Sequence, residues 1–326
     1  MADAKKLQRS RGRKPAKAQP ATEAEAPAGR AHLARARKLG HDLDDIYEAL
    51  HYREFKILLK AADFGEAIDL EVRDYWKLVR RVAGELLINV RRGKREREPH
   101  YRDIVFLDTP EFDLYRNGYM LRVRRPYVGA KPARTYELTL KFRGSDIGRA
   151  AQVDVNPDDG RPGRVKFKEE ILLVSSELGG MRSIFSHTCQ LREQTEPIGT
   201  TFGDFTRIFP PLSALGPKPT TAIAPAAPVP VQEVLYDLGE LGFRGAKTAK
   251  VNMAVWRDPQ SEKILIGEFA YETHFKHYGR LNPVPKLRSE RLYRLLQRET
   301  GAWVELGTTK TALYYALGGK PLAHAE

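Results

Sequence analysis

Residues 101–143 read YRDIVFLDTPEFDLYRNGYMLRVRRPYVGAKPARTYELTLKFR, and this stretch decides the fold. It contains three candidate strands in which charged residues recur at every second position. In LRVR at 121–124 the arginines fall on one face and the aliphatic residues on the other, because successive side chains of a strand point to opposite sides of its sheet. ELTLK at 137–141 repeats the pattern, and the Pro, Asn and Gly in the intervening DTP and RNG let the chain reverse direction. The stretch predicts an antiparallel meander with one strongly cationic face.

Other segments extend this pattern. Period-two alternation predicts strands at 51–60, 164–174, 245–256 and 264–272, and the Asp258–Pro259 turn signal joins the last two into a hairpin. Helical spacing predicts amphipathic helices at 69–87, 287–299 and 311–317, and 177–193 is compatible with a further helix. Residues 91–98 and 210–230 are predicted to be loops, the second rich in Pro and Ala.

The helices need apolar surfaces to cover, and this requirement determines the architecture. If they bury their stripes against the apolar strand faces, the charged strand faces must point toward one another. A closed antiparallel barrel solves this geometry. We therefore predict an α+β fold with a closed or nearly closed β-barrel of about eight strands, a polar cationic interior and helices packed outside. The cations on the inner faces outnumber the acids there, so an empty interior would be electrostatically unfavourable and we expect it to hold a polyanion.

Composition is that of a globular protein with a core. The 326 residues are 41% hydrophobic, and neither a membrane-spanning apolar run nor an apolar signal-peptide core at the N-terminus is present, so no membrane contact is expected. Cys189 is the single cysteine, which excludes an internal disulfide and suits a reducing cytoplasm. We interpret Cys189 and His187 as packing residues, because no nearby partner marks them as a catalytic pair.

The formal net charge of +13 is concentrated at the N-terminus. Residues 1–38 contain 11 lysines and arginines against three acids, and few apolar residues. We predict that residues 1–40 form a disordered basic tail and that residues 41–326 form a single domain, with 210–230 as a loop insertion. The tail would bind nucleic acid or polyphosphate by counterion release, or serve only as a solubilising extension. Nothing in the sequence indicates an oligomeric state.

The order of short motifs carries a resemblance. EFK at 54–56, FLDTP at 106–110 followed by LRVR, LTLK at 138–141, KEE at 168–170, a glutamate-containing strand around Glu268 and the late Thr309–Lys310 occur in series. In that order they resemble the CYTH, or triphosphate tunnel metalloenzyme, superfamily over residues 48–317. The resemblance implies an eight-stranded tunnel in which basic residues bind a triphosphate and glutamates hold a divalent metal. Its members include inorganic and thiamine triphosphatases and class IV adenylyl cyclases, and related polyphosphate polymerases share the tunnel.

The resemblance also implies roles for individual residues. Glu54 and Lys56 would take part in catalysis, and Mg²⁺ or Mn²⁺ would be the metal. The metal ligands would be Glu54, Glu170, Glu268 and Glu272. The phosphate-binding residues would be Lys56, Arg122, Arg124, Lys141, Lys168, Lys247 or Lys250, and Lys310. The chemistry agrees, since Mg²⁺ and Mn²⁺ prefer oxygen ligands and Lys and Arg offset the charge of phosphate oxygens.

One departure from the family pattern leaves the reaction open. The first strand of the family carries Glu-x-Glu-x-Lys, and here Tyr52 occupies the position of the first acid. Three functions follow. The first is metal-dependent hydrolysis of inorganic triphosphate or a small organic triphosphate. The second is binding of polyphosphate or a nucleotide without turnover. The third is a polyphosphate polymerase or nucleotidyl cyclase activity; the polymerase branch also lacks that first acid.

Overall fold

The computed structural model describes residues 50–93, 98–244, 248–275 and 283–319. The strands within these ranges are β1 (Tyr52–Leu59), β2 (Asn89–Arg92), β3 (His100–Asp108), β4 (Tyr119–Val128), β5 (Lys131–Pro132), β6 (Tyr136–Gly144), β7 (Gly163–Leu172), β8 (Arg182–Gln194), β9 (Ala224–Pro225), β10 (Val231–Gly242), β11 (Ala249–Arg257) and β12 (Ile264–His274). The helices are α1 (Ile68–Glu85), α2 (Asp113–Arg116), α3 (Ile147–Gln152), α4 (Phe202–Ile208), α5 (Pro283–Glu299) and α6 (Lys310–Leu317), with 3₁₀ turns at Ala61–Asp63 and Pro210–Leu215.

Nine of these strands close into a barrel. The hydrogen-bonded order is β10–β11–β12–β1–β7–β8–β6–β4–β3, and β3 pairs with β10 to complete the ring. The predicted meander of β3, β4 and β6 and the hairpin of β11 and β12 are both present. The α+β barrel with helices outside is therefore confirmed.

Two details of the barrel differ from the prediction. It has nine strands instead of eight, and β1 and β7 pair in parallel while the other neighbours around the ring are antiparallel. The segment 177–193 is not helical, because most of it belongs to β8, which pairs with β6 and β7 on its two sides. In the predicted loop 91–98, Arg91 and Arg92 lie in β2 and pair with β10.

The apolar faces of the strands point outward and are covered by helices, as the sequence predicts. On one side, α1 and α5 bury residues such as Trp76, Val79 and Leu292 in one cluster with Phe55 and Phe269 of the barrel. On the other side, α3, α4 and the 3₁₀ turn cover the outer faces of β4, β6 and β8 in a second cluster. Cys189 is a free, fully buried thiol in that second cluster, and burial raises its pKa to about 11, which agrees with a packing role.

The last helix, α6, packs over one end of the barrel. Its Tyr315 is fully buried and stacks on Tyr115, and its hydroxyl donates a 2.8 Å hydrogen bond to Asp108 Oδ2 at the end of β3. The backbone N–H groups of Leu114 and Tyr115 donate to the same carboxyl group. Burial raises the pKa of Asp108 to about 6. Asp108 therefore ties the start of α2 and the helix α6 to the barrel.

Some predictions fall on parts of the chain that the structure does not cover. The basic tail at 1–40 and Lys247 lie outside the described residues, and the single-domain assignment stays a prediction. Within 210–230 the described chain forms the 3₁₀ turn and β9, which pairs with β3. Among the described helices, none has the length and apolar character that crossing a membrane requires.

The link between Tyr315 and Asp108 is testable by Tyr315→Phe. A buried hydrogen bond to an ionised group contributes about 1.5–3 kcal/mol, so we expect the free energy of unfolding at pH 8 to fall by that amount in denaturant titrations. Tyr119→Phe is the control, because Tyr119 is also buried and no hydrogen bond from its hydroxyl is found among the described residues. Equal effects of the two substitutions would contradict the link.

Candidate functional site

The barrel encloses a cavity of about 380 Å³. The inward-facing residues of every barrel strand line it, together with Thr308–Thr311 at the start of α6. Five carboxylates line it: Glu54, Glu170, Glu233, Glu268 and Glu272. Twelve cations line it: Lys56, Arg102, Arg122, Arg124, Lys141, Arg143, Arg164, Lys166, Lys168, Arg182, Lys250 and Lys310. The formal excess among these described residues is seven positive charges, so the interior is strongly cationic as predicted.

Polarity changes along the cavity. Near α6 the lining includes Leu58, Phe106 and Met120. Toward the other end it includes the exposed side chains of Arg164 and Lys250. The end near α6 therefore mixes apolar side chains with Glu233, Glu268 and Lys310, and the solvent-exposed end carries exposed cations, which would draw an anion in from the solvent side.

Three carboxylates lie on adjacent strands in register. Glu54 of β1 is the Cα partner of Glu170 on β7 and of Glu272 on β12. Two lysines alternate with them, because Lys56 lies between Glu170 and Glu54 and Lys168 lies between Glu54 and Glu272. We call these five residues the carboxylate–lysine row.

Glu170 is the most heavily paired member of the row. Its Oε2 lies 2.8 Å from Lys56 Nζ and 3.2 Å from an Arg143 terminal nitrogen, and its Oε1 contacts Lys141 Nζ. Ser186 Oγ donates a further hydrogen bond to Oε1 at 2.5 Å. Burial alone would raise the pKa of Glu170, but these cations outweigh it and hold the pKa well below the usual range. Glu170 is therefore a fixed anion at neutral pH.

The other half of the row is built in the same way. Lys168 Nζ lies 3.2 Å from Glu54 Oε2 and contacts Glu272, while Lys56 Nζ also lies 3.2 Å from Glu54. Burial opposes ionisation of Glu54, yet Lys168 and Lys56 lower its pKa overall. Burial likewise opposes the charge on Lys56, and the two carboxylates raise its pKa overall. Glu54 and Lys56 are consequently both charged at neutral pH.

Facing the row across the barrel is a group of arginines that we call the arginine wall: Arg102 of β3 with Arg122 and Arg124 of β4. Three strands separate β4 from β1 in one direction around the ring and four in the other, which places the two groups on opposite walls. Anions between them would touch guanidinium groups on one side and ammonium groups on the other.

Two members of the arginine wall have no described carboxylate within ion-pair distance. Within the described part of the chain, Arg122 and Arg124 form no ion pair, and the Nε of each is buried without a hydrogen-bond partner. Burial, followed by repulsion from Arg102, lowers the pKa of Arg122 to about 10 and that of Arg124 well below its usual value. Such donors stabilise a cavity only when an anion is present to accept from them.

A third group of charges surrounds Glu233 of β10. Its carboxylate accepts from Arg102, lies 3.4 Å from Lys310 Nζ and accepts a 2.9 Å hydrogen bond from Trp256 Nε1. Lys310 Nζ also lies 2.8 Å from Glu268 Oε1. Burial would raise the pKa of Glu233, but Arg102 and Lys310 lower it well below the usual value. Glu233 thus holds one arginine of the wall and connects α6 to the barrel.

The structure places every described member of the predicted site in this cavity. The described phosphate-binding candidates are Lys56, Arg122, Arg124, Lys141, Lys168, Lys250 and Lys310, and the metal-ligand candidates are Glu54, Glu170, Glu268 and Glu272. The four metal-ligand candidates do not form one group. Glu268 is four residues from Glu272 along β12, roughly 13 Å at the usual rise per residue, and it belongs with Glu233.

The predicted site lacks six charged residues that line the cavity: Arg102, Arg143, Arg164, Lys166, Arg182 and Glu233. Arg143 follows Lys141 at the next inward position of β6, so the period-two pattern could have identified it. Arg102 stands two inward positions before Phe106 and carried the same signal. Glu233 could not be found in this way, because β10 itself was not recognised.

The described carboxylates fit a divalent metal in kind and in register, since Mg²⁺ and Mn²⁺ prefer carboxylate oxygens and Glu170, Glu54 and Glu272 lie side by side. In the described chain, however, no three acidic, His or Cys side chains converge as a ready metal-binding group. The ammonium groups of Lys56 and Lys168 lie between the carboxylates instead.

Tyr52 occupies the next inward position of β1 before Glu54. Lys166 Nζ lies 4.7 Å and Lys168 Nζ 5.6 Å from the centre of its ring, and the His274 ring packs beside it at 4.8 Å. A cation–π contact therefore occupies the position on β1 where a Glu-x-Glu-x-Lys motif would place its first carboxylate.

Comparison with known proteins gives structural likeness only. No protein-family profile and no curated protein matches the chain. Among solved structures, it is similar to a putative adenylyl cyclase from Hippeastrum that reveals a dominant triphosphatase activity, with 15% identity and a TM-score of 0.42, over 85% of this chain and 99% of that one. The structural neighbours include adenylyl cyclase-like proteins.

Two further neighbours are putative adenylate cyclases. The protein from Bacillus halodurans has 11% identity and a TM-score of 0.35, covering 80% of this chain and 98% of that one. The protein from Vibrio parahaemolyticus has 11% identity and a TM-score of 0.33, covering 81% and 98%. Likeness at this level does not indicate which reaction the present chain performs.

Removing an unpaired charge and removing a paired one should have opposite effects on stability. Arg124→Met relieves a buried cation without a partner, so the melting temperature should stay unchanged or rise. Glu170→Gln leaves three cations without their shared carboxylate and should lower the free energy of unfolding by about 3–5 kcal/mol. Calorimetric melting of both variants without phosphate checks this, and equal destabilisation would contradict the assignment of Arg124 as uncompensated.

Proposed function

We propose that this protein binds a triphosphate inside the barrel and hydrolyses its phosphoanhydride bond with the help of Mg²⁺ or Mn²⁺. The observation that supports the proposal most is the excess of seven positive charges around one cavity, including the two unpaired arginines Arg122 and Arg124. Phosphate oxygens are strong acceptors with high charge density, and guanidinium groups bind them in a bidentate manner.

The arginine wall and the lysines on the opposite side of the barrel would bind different faces of the phosphate chain. Arg122 and Arg124 would hold the phosphate oxygens on one side, with Arg102 fixed beside them by Glu233. Lys141, Lys56 and Lys168 would approach the same chain from the other side. The remaining phosphate-binding candidates, Lys250 and Lys310, lie toward opposite ends of the cavity and would contact the ends of a longer chain.

The carboxylate–lysine row would carry the residues that take part in hydrolysis. Glu54, Glu170 and Glu272 would hold the metal, which when bound neutralises phosphate charge and favours an attacking water. Lys56, next to Glu54 and Glu170, would offset the charge that builds on the leaving phosphate. Glu54 and Lys56 are therefore the proposed catalytic residues. Glu268, held apart with Glu233, would orient Lys310 rather than share the same metal.

Tyr52 supports a second candidate. An aromatic ring with a lysine over it occupies the position of the first acid of the family pattern, and the polyphosphate polymerase branch also lacks that acid. A synthetic activity, polyphosphate polymerase or nucleotidyl cyclase, is therefore the alternative to hydrolysis. Binding of polyphosphate or a nucleotide without turnover is the other alternative. The buried free thiol of Cys189 is compatible with the cytoplasmic location expected from the sequence.

A turnover screen separates these functions. Inorganic triphosphate, ATP, thiamine triphosphate and long polyphosphate are incubated with Mg²⁺ or Mn²⁺, and products are resolved by ion-exchange chromatography. We expect release of inorganic phosphate from a triphosphate. Longer polyphosphate or a cyclic nucleotide from ATP would indicate a synthetic activity, and binding that survives a chelator without any product would indicate binding without turnover.

The role of Glu54 is tested by Glu54→Gln. We expect the turnover number to fall at least about 100-fold while triphosphate still binds in calorimetry, because the cations that contact phosphate remain. Asp103→Asn is the control, since Asp103 also lies on a barrel strand but accepts a hydrogen bond from the Tyr127 hydroxyl and is not among the residues that line the cavity. A fully active Glu54→Gln protein would exclude its role in the reaction.

A further inference from the structure

The carboxylate–lysine row has a property that its separate members do not show. Lys56 Nζ lies 3.2 Å from Glu54 and 2.8 Å from Glu170. Lys168 Nζ lies 3.2 Å from Glu54 and contacts Glu272. Each ammonium group thus bridges two carboxylates, which is the place where a divalent cation shared by those carboxylates would lie. A metal ion and the ammonium group cannot occupy that place together.

The net charge of the cavity is a second, independent reason why a divalent metal ion binds poorly on its own. The lining already carries seven excess positive charges, and a divalent cation entering alone would add two more in surroundings where water screens poorly. A triphosphate brings several negative charges, which offset this excess. Phosphate therefore removes an electrostatic barrier to the metal, apart from any movement of a side chain.

Phosphate also offers the lysines other partners. Lys56 and Lys168 carry long flexible stems, and their ammonium groups can turn from a carboxylate to a phosphate oxygen in the same cavity. The carboxylate oxygens that they leave are hard anionic ligands that then need another cation. The unpaired Arg122 and Arg124 would hold the phosphate chain on the opposite wall during this exchange.

We propose that Lys56 and Lys168 are tethered cations that block the metal-binding carboxylates until phosphate draws them away, so that phosphate and divalent metal bind interdependently. This inference rests on the proposed function and adds that phosphate and the divalent metal each strengthen the binding of the other. The protein alone has low affinity for Mn²⁺ or Mg²⁺. By linkage, phosphate raises the metal affinity by the same factor by which metal raises the phosphate affinity.

The first test measures Mn²⁺ binding by isothermal calorimetry with no phosphate present. Lys168→Gln removes the ammonium group that lies between Glu54 and Glu272, leaving Lys56 3.2 Å from Glu54 and Lys166 3.8 Å from Glu272. With that position open, the variant should bind Mn²⁺ at least tenfold more tightly than the wild-type chain. Lys250→Gln is the control, because it removes the same charge from the same cavity and Lys250 forms no ion pair with the row among the described residues. It should change the affinity by about threefold or less. Equal affinities of the two variants, or tight Mn²⁺ binding by the wild-type chain, would overturn the proposal.

The second test uses the wild-type chain alone and so does not depend on the folding of a variant. Binding of imidotriphosphate, an analogue with nitrogen bridges, is measured with and without Mn²⁺, and the protein-free complex of Mn²⁺ with the analogue is measured separately and subtracted. We expect at least tenfold tighter binding with Mn²⁺, and no gain beyond the protein-free complex would overturn the proposal. Neither test involves turnover, so a chain that hydrolyses nothing could still show the linkage, and an active chain could lack it.

Discussion

An excess of buried positive charge inside a closed barrel is the constraint on which the rest of the structure depends. Within the described chain, each carboxylate of the row contacts at least one of its lysines, and each of the two lysines lies between two carboxylates. In the arginine wall, Arg102 pairs with Glu233, whereas Arg122 and Arg124 form no ion pair among the described residues and the Nε of each lacks a hydrogen-bond partner. Desolvated cations of this kind destabilise a protein unless they bind an anion. We therefore interpret the cavity as a binding site for an anionic ligand.

Apolar packing outside the barrel offsets the destabilising effect of the buried cations. Large apolar clusters outside the barrel, such as the one formed by α1 and α5 over Phe55 and Phe269, supply the stability that the interior lacks. Asp108 and Tyr315 hold α6 over one end of the barrel, and Glu233 connects Lys310 of that helix to Arg102. The scaffold and the charged interior are thus coupled through α6, and an anion in the cavity would find both walls already in position.

Much of the barrel could be predicted from the sequence, because its strands alternate cleanly between aliphatic and charged residues. Arg122, Arg124 and Lys141 lie inside the barrel because they alternate with aliphatic residues that face the helices outside. The alternation fails for β8, whose inward residues Ser186, Thr188 and Gln190 are small or uncharged and whose pairing depends on β6 and β7. It also fails for β10, which is buried on both faces, so that Gln232 and Glu233 interrupt the expected pattern.

The candidate site was less predictable than the fold. Sequence order cannot show that Glu170 and Glu54 are neighbours, since the parallel pairing of β1 and β7 brings together residues 116 positions apart. It cannot show that Glu268 and Glu272, on one face of one strand, belong to different charge groups. Nor can it show that Arg122 and Arg124 stay unpaired while Lys141 shares Glu170, because these partnerships depend on strands that meet only in the closed barrel.

The most direct test of the central claim is a crystal structure of the full chain grown with imidotriphosphate. The account predicts electron density for the phosphate chain inside the barrel, within hydrogen-bond distance of Arg122 and Arg124 on one wall and of lysines of the row on the other. Density confined to the outer surface, or an empty cavity at saturating analogue with the arginines turned to solvent or to protein carboxylates, would contradict it.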